Sequence, residues 1–119
     1  MKDAALETLR LRAPASDQLR ELKVFHKALA DVTRLRIVQL LASRPRTVNE
    51  LIAAIGLSQP LVSWHLRRLR NAGIVTTHRT GREVLCTLQR EVIEGAGARE
   101  RTVLGLATLP GPTGGRERA

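Results

Sequence analysis

RTVNELIAAIGLSQPLVSWHLRRLRNAGIVTTHRTGREVLCTL, residues 46–88, holds two helices, a tight link and a hairpin, and its punctuation is legible residue by residue. Thr47 followed by Glu50 is a capping box, in which hydroxyl and carboxylate each satisfy an orphan amide of a first helical turn. Gly56 ends that helix where a left-handed residue is required. Ser58 is the next N-cap, and Pro60 falls in the first turn, where a missing N–H costs nothing. The link is therefore only Gly56-Leu57-Ser58, short enough to force a steep crossing of the helices, the geometry of a helix-turn-helix.

The second helix, about Gln59 to Asn71, carries the functional argument. At ~100° per residue, Val62, His65, Leu66 and Leu69 share one side, with Leu61 and Ala72 on its flank. That stripe must pack on the first helix and the body of the domain. Pro60, Ser63, Trp64, Arg67 and Asn71 point the other way, with Arg68 and Arg70 at the borders. Guanidinium groups, a hydroxyl, an indole and a leading glutamine suit the edges of bases in a major groove. Gln59, Ser63, Trp64 and Arg67 are accordingly the candidate base contacts, and Ser58 and Arg68 candidate backbone contacts. Trp64 has an alternative role, packing on the hairpin.

After an Ala72-Gly73 stop, Ile74 to Arg79 and Glu83 to Leu88 are rich in Val, Ile and Thr around Thr80-Gly81-Arg82, a hairpin signal. Val84, Cys86 and Leu88 share one strand face, assigned to the core. Arg79 and Arg82 flank the tip and are the candidate contacts to a neighbouring minor groove or its phosphates.

Residues 25–88 resemble the arsenic-repressor (ArsR/SmtB) family of winged helix-turn-helix regulators. The resemblance rests on Ala28-Leu-Ala-Asp-Val-Thr-Arg-Leu-Arg-Ile37, on Leu57-Ser-Gln-Pro-Leu-Val-Ser-Trp-His-Leu66 and on Gly81-Arg82. It implies a mainly α fold of about five helices with a small β-hairpin wing. It also implies a homodimeric transcriptional repressor that releases a pseudo-palindromic double-stranded DNA operator when an effector binds. The sequence departs from the family at Ile52, often a small residue, and in lacking the cysteine and histidine motifs of its metal sensors.

The remaining elements follow in order. Residues 1–15 form a partly ordered N-terminal arm broken by Pro14. Ser16 caps a helix from Asp17 to Ala30, with Leu22, Phe25 and Leu29 at the centre of its apolar stripe. Asp31 caps the next, about Val32 to Ser43, a central element with Leu35, Val38, Leu41 and Ala42 on one face and Ile37 and Leu40 widening it. Arg34 and Arg36 read as surface residues, or as fixing the helix start through Asp31, ahead of phosphate contacts. A short strand is expected near Arg46 to Val48. A last helix spans 90–109, weakened by Gly95 and Gly97 and apt to break near Gly95. By resemblance, Leu22, Phe25 and Leu29 with Val103, Leu104 and Leu106 form the dimer interface. Residues 16–109 make the winged-helix and dimerisation domain, and 110–119, with nothing to bury, a disordered tail.

Composition supports this and limits the alternatives. The net charge is +9, and residues 44–82 hold seven arginines against one glutamate. Such a distribution points to a polyanion. There is neither an 18-residue apolar run nor a signal-peptide core, so a cytoplasmic, nucleoid-associated chain with no membrane partner is expected. The single cysteine excludes an internal disulfide and, by strand alternation, reads as core rather than redox sensor. His26, His65 and His78 lie on different elements, and Glu91, Glu94 and Glu100 have no histidine beside them, so no metal site and no cofactor are expected. No phosphate loop or nucleophile–base set suggests an enzyme. The competing functions are a protein-interaction module and a non-specific nucleic-acid-binding winged helix.

Overall fold

A computed structural model describes residues 17–106. The arm at 1–15, Ser16 and the tail at 110–119 lie outside the described residues. Helix α1 covers 17–29, and is followed by α2 (Val32–Ser43), β1 (Arg46–Thr47), α3 (Val48–Ile55), α4 (Gln59–Asn71), β2 (Val75–Thr80), β3 (Glu83–Leu88), α5 (Arg90–Glu94) and α6 (Ala96–Val103). The chain divides into two compact units, 23–94 and a second built from the stretches on either side of it.

The caps form as the sequence predicts. Thr47 accepts from the Glu50 amide at 3.1 Å while Glu50 accepts from the Thr47 amide at 2.9 Å. Gly56 closes α3 at φ 81°, and Ser58 accepts from the Leu61 amide at the start of α4. At the far end of α4, Gly73 takes φ 76°. The Ile74 amide reaches back to Leu69 O and the Gly73 amide to Arg70 O, a Schellman closure. Ile74, read as the start of a strand, instead seals this cap against Leu69, both side chains having no exposure.

β1, β3 and β2 lie in that order in an antiparallel sheet. Arg46 pairs with Cys86, and Thr80 with Glu83 across the Gly81-Arg82 tip. Gly81 has φ 62° and Arg82 a negative φ, the signs of a type II′ turn. The core of the 23–94 unit gathers Ala28, Ile37, Leu41, Leu51, Val62, Leu66, Leu69, Ile74, Val75 and Cys86. Phe25 and Leu29 pack partly buried against it.

Two expectations about α2 need correction. Leu35, assigned to the core face of α2, is 49% exposed. The buried stripe runs through Arg34, Ile37 and Leu41, and Leu35 lies ~100° from Arg34 on a 3.6-residue helix. Arg34 is itself only 7% exposed, so it is neither a surface residue nor able to reach a phosphate. Asp31 does fix the helix start, but by accepting from the Arg34 backbone amide at 3.1 Å. The last helix divides at Gly95 into α5 and α6, at the weak point the glycines marked. In the second unit α6 ends at Val103 and Gly105 follows at φ 80°, with Leu104 and Leu106 exposed.

Candidate nucleic-acid interface

Sequence periodicity alone orients α4, and the observed burial agrees: Val62, His65, Leu66 and Leu69 are its buried residues. The outward residues divide between two flanks. On the hairpin side, Gln59, Ser63 and Arg70 border an open groove of about 320 Å³, whose opposite wall carries Thr77, Arg79, Arg82 and Glu83 and whose end is formed by Thr47 and Asn49. Arg70 donates to Thr77 Oγ1 at 3.2 Å, bracing α4 against the wing. Three guanidinium groups, two side-chain amides and three hydroxyls thus line one cleft beside a single carboxylate. That is a donor-rich surface of the kind that receives phosphate oxygens and base edges.

The other flank is built differently. Trp64 stands 40% exposed, with its ring edge-on to His65 at 5.0 Å between centroids. The Arg68 guanidinium lies 4.7 Å from the indole centroid and that of Arg34 5.5 Å. Trp64 therefore packs toward α2 and not on the wing, with two cations over its ring. Arg67 is exposed.

Of the candidate DNA contacts, Gln59, Ser63, Arg79 and Arg82 converge on the groove. Trp64 and Arg68 sit together on the opposite flank. Ser58 is exposed at the helix start with its hydroxyl engaged as the cap. Arg70, assigned only to a border, belongs with the groove residues, as do Asn49, Thr47 and Thr77. The partner of His65 is a further residue that the sequence alone does not name. A histidine on a buried stripe demands a hydrogen bond, and that signal pointed to a polar residue inside the domain; Arg34 is that residue, 3.0 Å away.

Cys86 is fully buried, and burial pushes its thiol up to about 11, away from thiolate chemistry at neutral pH. Among the described residues no three His, Cys, Asp or Glu side chains gather as metal ligands, and no helix is long and apolar enough to cross a membrane. Of the dimer candidates, Leu22, Val103, Leu104 and Leu106 fall in one unit and Phe25 and Leu29 in the other.

Helix, three-residue link, outward-facing second helix and a twisted hairpin beside it define a winged helix-turn-helix protein. Comparison with known proteins gives the same class: residues 31–77 match the model of the bacterial regulatory protein arsR family. The chain is 50% identical over 62 residues to the HTH-type transcriptional repressor SmtB of Mycobacterium tuberculosis, covering 52% of this chain and 46% of that protein. It is 37% identical over 91 residues to an uncharacterized HTH-type transcriptional regulator of the same organism, covering 75% and 80% respectively. In structure it resembles the homodimeric winged helix-turn-helix DNA-binding domain of a possible ArsR-family regulator from Mycobacterium bovis. The TM-score is 0.60 at 27% identity, over 76% of this chain and 82% of that one. The chain belongs to the arsR family, a family of transcriptional regulators and not of enzymes. It spans about half the length of SmtB, the relative it matches at 50% identity.

Proposed function

We propose that this chain is a sequence-specific, DNA-binding transcriptional repressor, acting in the cytoplasm at the nucleoid as a homodimer on a pseudo-palindromic operator. The observation that carries the reading is the groove in which the exposed start of α4 faces a hairpin bearing Arg79 and Arg82. In this reading α4 enters the major groove, with Gln59, Ser63, Trp64 and Arg67 at base edges. Arg79 and Arg82 meet the adjacent backbone or minor groove, with Ser58, Arg68 and Arg70 on phosphates. Two copies would place their α4 helices about 34 Å apart, one turn of DNA. The homodimeric M. bovis relative and the exposed Leu104 and Leu106 support a dimer built through Leu22, Phe25, Leu29, Val103, Leu104 and Leu106. The donor set for a thiolate or histidine metal site is missing from the described residues, so release of DNA is assigned to something other than a metal.

The test is selection of duplexes from a random-sequence pool, then gel-shift titration of the recovered duplex against random DNA at two salt concentrations. A repressor of this design binds the selected duplex preferentially and loses affinity steeply with salt. Equal binding to both makes it a non-specific binder, and no binding makes it a protein-interaction module. Zinc, cadmium and arsenite added to the complex should leave it intact; dissociation at stoichiometric metal overturns the last assignment.

A further inference from the structure

The hold on α4 includes one polar joint that the apolar core does not explain. Arg34, on the buried stripe of α2, donates from Nε to Ala28 O at 2.7 Å, from Nη2 to Lys27 O at 3.3 Å and from Nη1 to His65 Nδ1 at 3.0 Å. One guanidinium thus fastens the end of α1, the start of α2 and the middle of α4. A guanidinium can only donate, so Nδ1 of His65 accepts, and the imidazole is neutral with its proton on Nε2. We infer that Arg34 is a positioning residue for α4, acting through the unprotonated imidazole of His65, and that protonating His65 loosens the helix and weakens its grip on DNA. The inference rests on the DNA-binding reading above.

The surroundings of His65 set the direction. From α2 and its cap it meets Arg34 and Asp31, whose Oδ2 lies 3.9 Å from Nδ1. From its own helix it meets the Trp64 ring, with Arg68 over that ring. From α1 come the carbonyls of Lys27 and Ala28, by way of Arg34. Burial holds the imidazole pKa below its ordinary value, opposed by Asp31 and reinforced by Arg34. A proton on Nδ1 removes the lone pair that Arg34 uses and sets two cations face to face. The nearby acceptor is Asp31, so the imidazolium turns toward it and Arg34 loses its tie to α4. Trp64, adjacent in sequence and with Arg34 and Arg68 over its ring, loses its setting with it.

The sign distinguishes this from simple charge. Ordinary histidine protonation adds positive charge and tightens binding to a polyanion; here acid weakens it. Trp64 is the only tryptophan and there is no tyrosine, so intrinsic fluorescence reads this joint directly.

The experiment follows Trp64 emission of the full chain from about pH 7.5 to about pH 5, alongside affinity for a duplex selected from the random pool. In the wild type, emission should change through a titration below the ordinary histidine range. Affinity should fall as pH drops through that same titration, by no more than about tenfold per pH unit, the limit for one linked proton. His65→Asn places Oδ1 where Nδ1 stood, an acceptor that does not titrate; it should lose the emission step and hold or gain affinity in acid. Arg34→Lys, with circular dichroism to confirm folding, should bind weakly already at neutral pH and respond little to acid. Should that variant not fold, the wild type and His65→Asn decide alone. An emission step that survives in His65→Asn, or wild-type affinity that holds in acid, overturns the inference. If no duplex is selected at any pH the DNA reading fails, and the emission step still decides whether the joint opens.

Discussion

The two flanks of α4 use the same residue type for opposite ends. Toward the wing, Arg70, Arg79 and Arg82 line an open groove, their charge directed outward. Toward α2, Arg34 is 7% exposed, and each of its donor nitrogens has a partner within the domain. An arginine count cannot separate these roles. A guanidinium acts as a ligand-seeking charge where water reaches it, and as a rigid three-way fork where water is excluded.

That contrast can be broken by substitution. The largest effect should come from Arg34→Ala, which leaves two backbone carbonyls and a buried imidazole without their donor. About 2–4 kcal/mol of stability should be lost in chemical denaturation, and a loss under 1 kcal/mol would put Arg34 with the surface arginines. Arg67→Ala should leave stability nearly unchanged and cost ~1–3 kcal/mol of affinity for the selected duplex if the side chain makes a bidentate guanine contact. An equal loss on random DNA would make it a phosphate contact.

Acid sharpens the same comparison. The folded pKa of His65 lies below the unfolded value of about 6.5, so between the two the unfolded chain binds more protons. Stability from this group is therefore complete above about pH 6.5 and declines as pH falls through that value, by up to ~1.4 kcal/mol per pH unit. Thermal melts of the wild type should show that decline and His65→Asn should reduce it. Thr47→Ala, which removes half of the capping box at the groove end, should cost ~1 kcal/mol by denaturant titration. The smallest stability change belongs to Arg79→Ala and Arg82→Ala, within ~0.5 kcal/mol. Each should nevertheless lower the slope of log affinity against log salt by about 0.9.

Much of the fold was legible because its signals are local. The Thr47–Glu50 box, Gly56, the Ser58 cap and the Gly81 turn each depend on residues within a few positions of one another, and each forms. The groove is half legible: Gln59, Ser63, Arg79 and Arg82 carry a signal in the sequence, whereas Arg70 falls at a border of the helical wheel. A helical wheel gives the angle of a side chain and not what stands across from it. Leu35 is exposed for a related reason, since an apolar residue off the centre of a stripe is buried only if another element covers it.

What the chain's order of residues settled by itself is where helices start and stop, which side of α4 turns inward, and that a basic hairpin follows it. Caps, turns and periodicity are short-range physics, and nearby residues are enough to state them. Only the folded arrangement decided that Arg34 meets His65 across 31 positions of chain, that Arg34 joins Arg68 over the Trp64 ring, and that Arg70 joins the wing. Those pairings depend on which surfaces are brought together and dried by packing, and no local pattern encodes that.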